Sequence, residues 1–441
     1  MHLRLFLGLP GVILAVAEML ILLPAAGCGT VPLPGGEAGS ALAARPDMAN
    51  LPPVQNPVVE DDYENGLFEH AQPATLPVTG EILIEGTING LDDVDLYALG
   101  PALAGDRLII DVTGRDGLNT VAALFDGGQD LIDANDDRSY YAGRLDPYLA
   151  RVVAADTPNL YLGIAVSSGS YFSSSAGRYQ SGSYTIRVRR EPGAYVLPPR
   201  HQVVYLNFEG GASVQIGLQP VEHMRPFTAE SISARLAGTT ESIVTQVVEH
   251  MRNDFAAFNV TLVSSRESGP PSSPHSTLYF GNYNSSFLGL ADNVDTGNVF
   301  HEQKAIIYAE DLAMFEALRP SPEEVAQALA NIASHELGHL LGLEHSAEAR
   351  DLMATAGSAR QLFELDPAFV RSRLQTAVFP VGWQNGPQLL ALNVGVIPEQ
   401  ESLRPRLPDT HRKASPAWRD QIPDIPIVQC GRCCGEHHGS H

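Results

Sequence analysis

At 441 residues the chain exceeds what one hydrophobic core usually organises, so its length points to two domains plus tails. An apolar fraction of 44% and a charged fraction of 18% are those of a globular protein, and 40 Gly with 32 Pro suggest loop-rich β structure, excluding collagen-like or wholly disordered chains. A formal net charge of −23 argues against the clustered Lys and Arg by which proteins bind nucleic acid or anionic lipid, so no nucleic-acid partner is expected.

The chain begins with Arg4, an apolar run over 5–23 broken by Pro10 and Glu18, and then Pro24, Ala25, Ala26, Gly27 and Cys28. This is the layout of a signal peptide over 1–28. The clean apolar stretch is too short for a permanent span, and Glu18 would be costly at mid-membrane. Export is therefore expected, either by secretion or with anchoring at the cell envelope. The Ala-Ala-Gly-Cys end resembles the lipobox of bacterial lipoproteins, although Ala25 stands where such boxes usually have Leu. That resemblance implies lipidation of Cys28 and membrane attachment through it. Ordinary cleavage near Ala41, Leu42 and Ala43, with Cys28 discarded, is the other reading. Residues 29–57, rich in Pro, Gly and Ala, have the composition of a flexible linker. The other cysteines, Cys430, Cys433 and Cys434, all lie near the end of the sequence, so no disulfide is expected within either domain.

Over 58–192 short alternating stretches such as Glu81-Ile82-Leu83-Ile84 and Ser183-Tyr184-Thr185-Ile186-Arg187-Val188 alternate with Gly, Asn and Asp turns, the pattern of an antiparallel β-sandwich. Gly86-Thr87-Ile88 with 92–97, Leu124-Phe125-Asp126 with Asn135-Asp136-Asp137, and Gly182-Ser183-Tyr184-Thr185 together resemble the bacterial pre-peptidase C-terminal domain. The resemblance implies a targeting or substrate-contact module that accompanies secreted peptidases. The Asp clusters have the hard oxygen ligands of a calcium site, but Asp and Asn also simply favour turns.

A second linker over 192–199 leads to a catalytic domain at 200–384. Strands are predicted at 203–208, 259–263, 277–280 and 305–309. A helix is predicted over about 241–255, with Ile243, Val244, Val247, Val248, Met251 and Phe255 on one face and Thr239 or Thr240 as N-cap. These elements make an α+β domain with a twisted mixed sheet. A further helix should start at Ser321-Pro322-Glu323-Glu324, a capping-box sequence with Pro in the first turn, and run to about 341. On it His335 and His339 are four residues apart and project from one face. Gly342 is placed to stop the helix with a left-handed turn that returns His345 to the same site. Three neutral imidazoles are the donor set of a catalytic Zn²⁺ with one position left for water, and Glu336 stands where it can act as general base. One catalytic Zn²⁺ and a protein or peptide substrate are the expected cofactor and partner, with the chain a monomer.

The run His335-Glu336-Leu337-Gly338-His339-Leu340-Leu341-Gly342-Leu343-Glu344-His345, followed by Asp351-Leu352-Met353, resembles the metzincin clan of zinc metallopeptidases, and Ser346 after the third His is similar to the matrixin branch. The resemblance implies that Met353 forms the Met-turn beneath the metal. No Tyr follows Met353 closely, so the extra tyrosine ligand of some members is not expected, and no cysteine-switch peptide precedes the domain. By analogy with the clan, the strand at 305–309 is the expected edge for pairing with an extended substrate. Asp292 and Asp295, with Asn298, are candidates for calcium or for a plain turn. From 385 to 441 a proline-rich tail is expected, ending in a cluster of Cys and His that suits either a disordered tail, a second metal site or a thiolate cap on the catalytic zinc.

Overall fold

The computed structural model describes residues 57–61, 65–139, 143–167, 181–217, 219–284, 286–355, 357–397 and 431–432. The signal peptide, Cys28 and the tail residues Cys430, Cys433 and Cys434 lie outside the described residues. The described residues fall within one compact unit, Val54–His441.

Its first half is β-rich, with strands β1 (Val58–Val59), β2 (Gln72–Pro73), β3 (Gly80–Ile88), β4 (Val94–Ala102), β5 (Arg107–Gly114), β6 (Thr120–Phe125), β7 (Leu131–Asn135), β8 (Tyr148–Val152), β9 (Thr157–Val166) and β10 (Gly182–Glu191). They form two five-stranded sheets, ordered β1-β3-β10-β5-β8 and β2-β4-β9-β6-β7. In β10 the buried residues Tyr184, Ile186 and Val188 alternate with partly exposed neighbours, as period-2 geometry requires of a strand with one covered face. One core joins the two sheets: Ile84, Ile110 and Val188 from the first meet Leu99, Leu124 and Leu162 from the second. In contrast, β6 is buried at every position. A continuous apolar strand implies cover on both faces, and the second cover is Leu374, Val378 and Phe379 from the far end of the chain.

The second half contains β11 (Gln202–Asn207), β12 (Gly211–Val214), β13 (Glu222–Met224), α1 (Thr240–Asp254), β14 (Val260–Ser264), β15 (Ser276–Gly281), β16 (Gly289–Ala291), β17 (Lys304–Tyr308), α2 (Pro322–Leu340), α3 (Ala359–Glu364), β18 (Arg371–Arg373), β19 (Trp383–Asn385), α4 (Gly386–Asn393) and β20 (Gly431–Arg432). The main sheet runs β14-β11-β15-β17-β16-β20. Its first four strands are parallel, β16 is antiparallel to β17, and β20 is parallel to β16. The apolar face of α1 (Ile243, Val244, Val247, Val248, Met251) packs into the same core as α2 and the inner residues of the sheet. Thr239 stands at the N-cap of α1, but its hydroxyl donates to the Leu236 carbonyl (2.7 Å) instead of capping.

Two expectations are corrected. The strand expected at 305–309 is not an edge: β17 lies between β15 and β16, and β16 is the strand beyond it toward the sheet margin. The tail does not begin at 385 either. Asn385 caps α4, Pro387 fits its first turn, and Leu390 and Val394 are buried in the large core.

Where α1 meets α2, Asp254 accepts the Ser334 hydroxyl (2.6 Å), and burial pushes its carboxyl up to about 8. A carboxyl whose folded pKa lies above its unfolded value near 3.8 favours the folded state fully below pH 4 and loses that contribution as pH rises toward 8. Asp254→Asn keeps the acceptor and removes the titration. The difference in Tm between Asp254→Asn and wild type should therefore grow in favour of the variant from pH 5 to pH 8 in thermal melts, whereas a constant difference would refute the assignment.

Candidate metal centre

The sequence places the centre at the end of α2. Ser321 Oγ accepts from Glu324 N (3.3 Å) and Glu324 Oε2 accepts from Ser321 N (2.7 Å), so the capping box closes as predicted. His335 and His339 share a face, with ring centroids 4.8 Å apart. At the other end, Leu343 N donates to Gly338 O and Gly342 N to His339 O, both at 2.9 Å, the bonding pattern of a Schellman stop. Gly342 has φ +91°, and a Cβ there would lie 2.8 Å from Asp295 O and 2.9 Å from Thr296 Cα, so both backbone conformation and space demand glycine. Asn393 of α4 donates to the remaining Leu341 carbonyl (2.8 Å).

Beyond the turn, the buried Gln384 side chain clamps Glu344. Its oxygen accepts from Glu344 N (2.6 Å) and its amide donates to Glu344 O (2.7 Å). The next residue is His345, whose ring centroid stands 4.6 Å from that of His339 and 5.3 Å from that of His335. One ligand nitrogen from each of the three lies within 4.8 Å of the other two, and all three residues are buried.

Hydrogen bonds fix how these imidazoles face one another. His335 Nδ1 donates to Leu352 O and His339 Nδ1 to Leu343 O, each at 2.7 Å, which leaves Nε2 of both rings as a lone-pair donor pointing inward. His339 Nε2 and His345 Nε2 are 3.0 Å apart. Burial pushes His335 down to about 4, so it is neutral at pH 7, and its buried Nε2 has no hydrogen-bond partner. A buried nitrogen without a hydrogen-bond partner, converging with two more, is a donor set that a metal ion would satisfy. These residues fit zinc.

Glu336 is fully buried next to His335. Gly289 of β16 lies against it so closely that a Cβ would overlap Glu336 Oε1. Met353, also fully buried, sits under α2: a Cβ on Gly338 would overlap its sulfur, which accounts for glycine between the two helical histidines. Asp351 holds this turn by accepting from Met353 N (3.2 Å) and from the Ser372 hydroxyl. Leu352 within the turn supplies the carbonyl that orients His335.

Asp292 accepts from Gly217 N (3.0 Å) and Lys304 N (2.6 Å), and Asp295 accepts from Val299 N, Phe300 N and Gln303 Nε2. Asn298 donates to Arg200 O. The bonds of Asp295 staple its own turn, while those of Asp292 and Asn298 tie this loop to distant segments, and among the described residues the group of three or more metal-capable side chains is the histidine triad. Sequence reasoning missed Gln384 and Gly289, and it read Asp351 only as part of the Met353 turn. It also missed a cavity of about 110 Å³ lined by Leu288, Gly289, Ile332, Leu352, Leu362 and Leu365, with His335 and Glu336 at its wall.

The β-rich half braces this centre. Ala347 N bonds to Arg373 O and Gln375 N to His345 O, tying the third histidine to β18 and the segment after it. Arg371 of β18 in turn pairs with Asp130 (2.7 Å) and donates to Gly128 O, while Trp383 N donates to Gln129 O. Phe379 packs edge-on to Phe125 at 5.5 Å.

Residues 280–368 match the matrixin family of peptidases. This stretch holds all three histidines, Glu336 and Met353, and the match agrees with the metzincin resemblance read from the sequence. Solved structures similar to the chain include archaemetzincin from Methanopyrus kandleri (14% identity, 38% of this chain and 87% of that one, TM-score 0.22). They also include the pre-peptidase C-terminal domain of a Bacillus anthracis collagenase (16% identity, 27% and 94%, TM-score 0.19). A third is a periplasmic inhibitor of g-type lysozyme from Aeromonas hydrophila (18% identity, 27% and 99%, TM-score 0.20). No curated protein matches the chain. The segment around the histidines is thus similar to the matrixin peptidases.

If Gln384 sets the position of His345, Gln384→Ala should weaken zinc binding about tenfold or more, by the precedent of outer hydrogen-bond partners at metal sites. Competition with a chromophoric chelator measures this, and unchanged affinity would show that His345 is held by other means.

Proposed function

We propose that the protein is an exported zinc-dependent endopeptidase that cleaves peptide bonds in protein substrates. The observation that carries this reading is the convergence of three buried imidazoles beside a buried glutamate. His335, His339 and His345 would hold the ion, each helical histidine kept in the right tautomer by its bond to a backbone carbonyl. Bound zinc supplies Lewis acidity and a water whose pKa is lowered to about 7. Glu336 accepts the proton of the attacking water and passes it to the leaving amine nitrogen. The β16 margin, with Gly289 against Glu336, presents backbone groups to an extended substrate in the manner of an added strand. The apolar cavity beside His335 takes one aliphatic substrate side chain and holds the scissile bond in register.

Export and the role of Cys28 belong to the same proposal and rest on the layout of residues 1–28. The mature N-terminus should begin at a lipid-modified Cys28 in membrane extracts, or downstream of it in the medium. Mass spectrometry finding an intact N-terminus in the cytoplasm would refute export.

Glu336→Gln should bind one zinc per chain like wild type and lose about 10²-fold or more in kcat. The test is zinc analysis together with hydrolysis of casein and of short peptides at saturating concentration. Stoichiometric zinc in both proteins with no hydrolysis by either would favour a binding protein or an amidase on another substrate.

A further inference from the structure

The margin of the main sheet at β16 is already paired. Leu290 is in register with Gly431 and Ala291 with Arg432, so β20, from the Cys- and His-rich end of the chain, is the outermost strand. β16 is also the strand whose Gly289 lies against the Glu336 carboxylate and whose neighbour Leu288 lines the cavity beside His335. A segment hydrogen-bonded along β16 therefore occupies the same backbone groups that an extended substrate would use. Building on the peptidase reading, we propose that the outer edge of β16 is a strand-docking surface whose resident occupant is this chain's own C-terminal segment, and that substrate must displace it.

The physical chemistry favours such an arrangement. An uncovered strand edge is a template for pairing with any extended chain, and proteins commonly cover it. Two paired residues bind weakly in trans. Covalent attachment converts the docking into an intramolecular event whose effective concentration does not fall as the protein is diluted, so a weak strand still competes with dilute substrate. Recognition runs through main-chain groups, which explains how a glycine can sit in the pair: Gly431 offers its backbone and no side chain. A competitor of this type raises the apparent KM and leaves kcat unchanged.

The test uses the full chain. In the double variant Gly431→Pro/Arg432→Pro the paired residues lose their backbone donors, whereas Gly431→Ala/Arg432→Ala keeps them. Hydrogen–deuterium exchange over residues 287–292 should accelerate at least tenfold in the proline variant and stay at the wild-type rate in the alanine variant. With a peptide substrate, KM should fall about tenfold in the proline variant at constant kcat. Unchanged exchange over 287–292 overturns the proposal, and so does faster exchange with an unaltered KM. Faster exchange with no hydrolysis by any of the three proteins upholds the docking and overturns the peptidase reading instead.

Discussion

Everything about this site depends on the chain reversing direction at Gly342. A helix can bring two histidines to one face, as it does with His335 and His339, but a third on the same helix could not converge on the same point from the other side. The left-handed residue at 342, with φ +91°, solves this by turning the chain within three residues of His345. The space around it is already filled by the backbone of Asp295 and Thr296, so the turn is held from outside as well as from within. Glycine alone satisfies both conditions.

The same logic extends outward. The Leu343 carbonyl just past the turn orients His339, the Leu352 carbonyl orients His335, and Gln384 fixes the residue before His345. Each imidazole thus depends on a different part of the chain: the helix stop, the Met353 turn, and the β18–β19 hairpin. That hairpin is pinned in turn to the β-rich half through Arg371, Trp383 and Phe379. The N-terminal sheets are consequently part of the scaffold of the metal centre as well as a neighbouring module.

Local features were legible in the sequence and pairings between distant segments were not. The capping box at Ser321, the i, i+4 histidines and the stop at Gly342 each rest on residues within a few positions of one another, and the structure places them as read. The apolar run of β6 is buried on both faces, yet nothing in that run names Phe379 as the cover. β16, only Gly289–Ala291, is too short to show alternation and carries no β-branched residue, so the sequence offers no strand beyond 305–309 to stand at the edge. The α4 segment is hidden within a proline-rich stretch, because Pro387 marks a break in one context and a helix start in another. Gln384 gave no signal, since a glutamine becomes a clamp only when the fold brings a free backbone N–H and C=O to it.

We propose that three imidazoles from one stretch of chain hold a single zinc ion, with nitrogen and oxygen as its donors. X-ray absorption spectroscopy of the zinc-loaded full chain tests it most directly. The account predicts a first shell of nitrogen and oxygen scatterers at about 2.0–2.1 Å with the multiple-scattering pattern of three imidazoles. A sulfur scatterer at about 2.3 Å, or a first shell with fewer than three imidazoles, would contradict it.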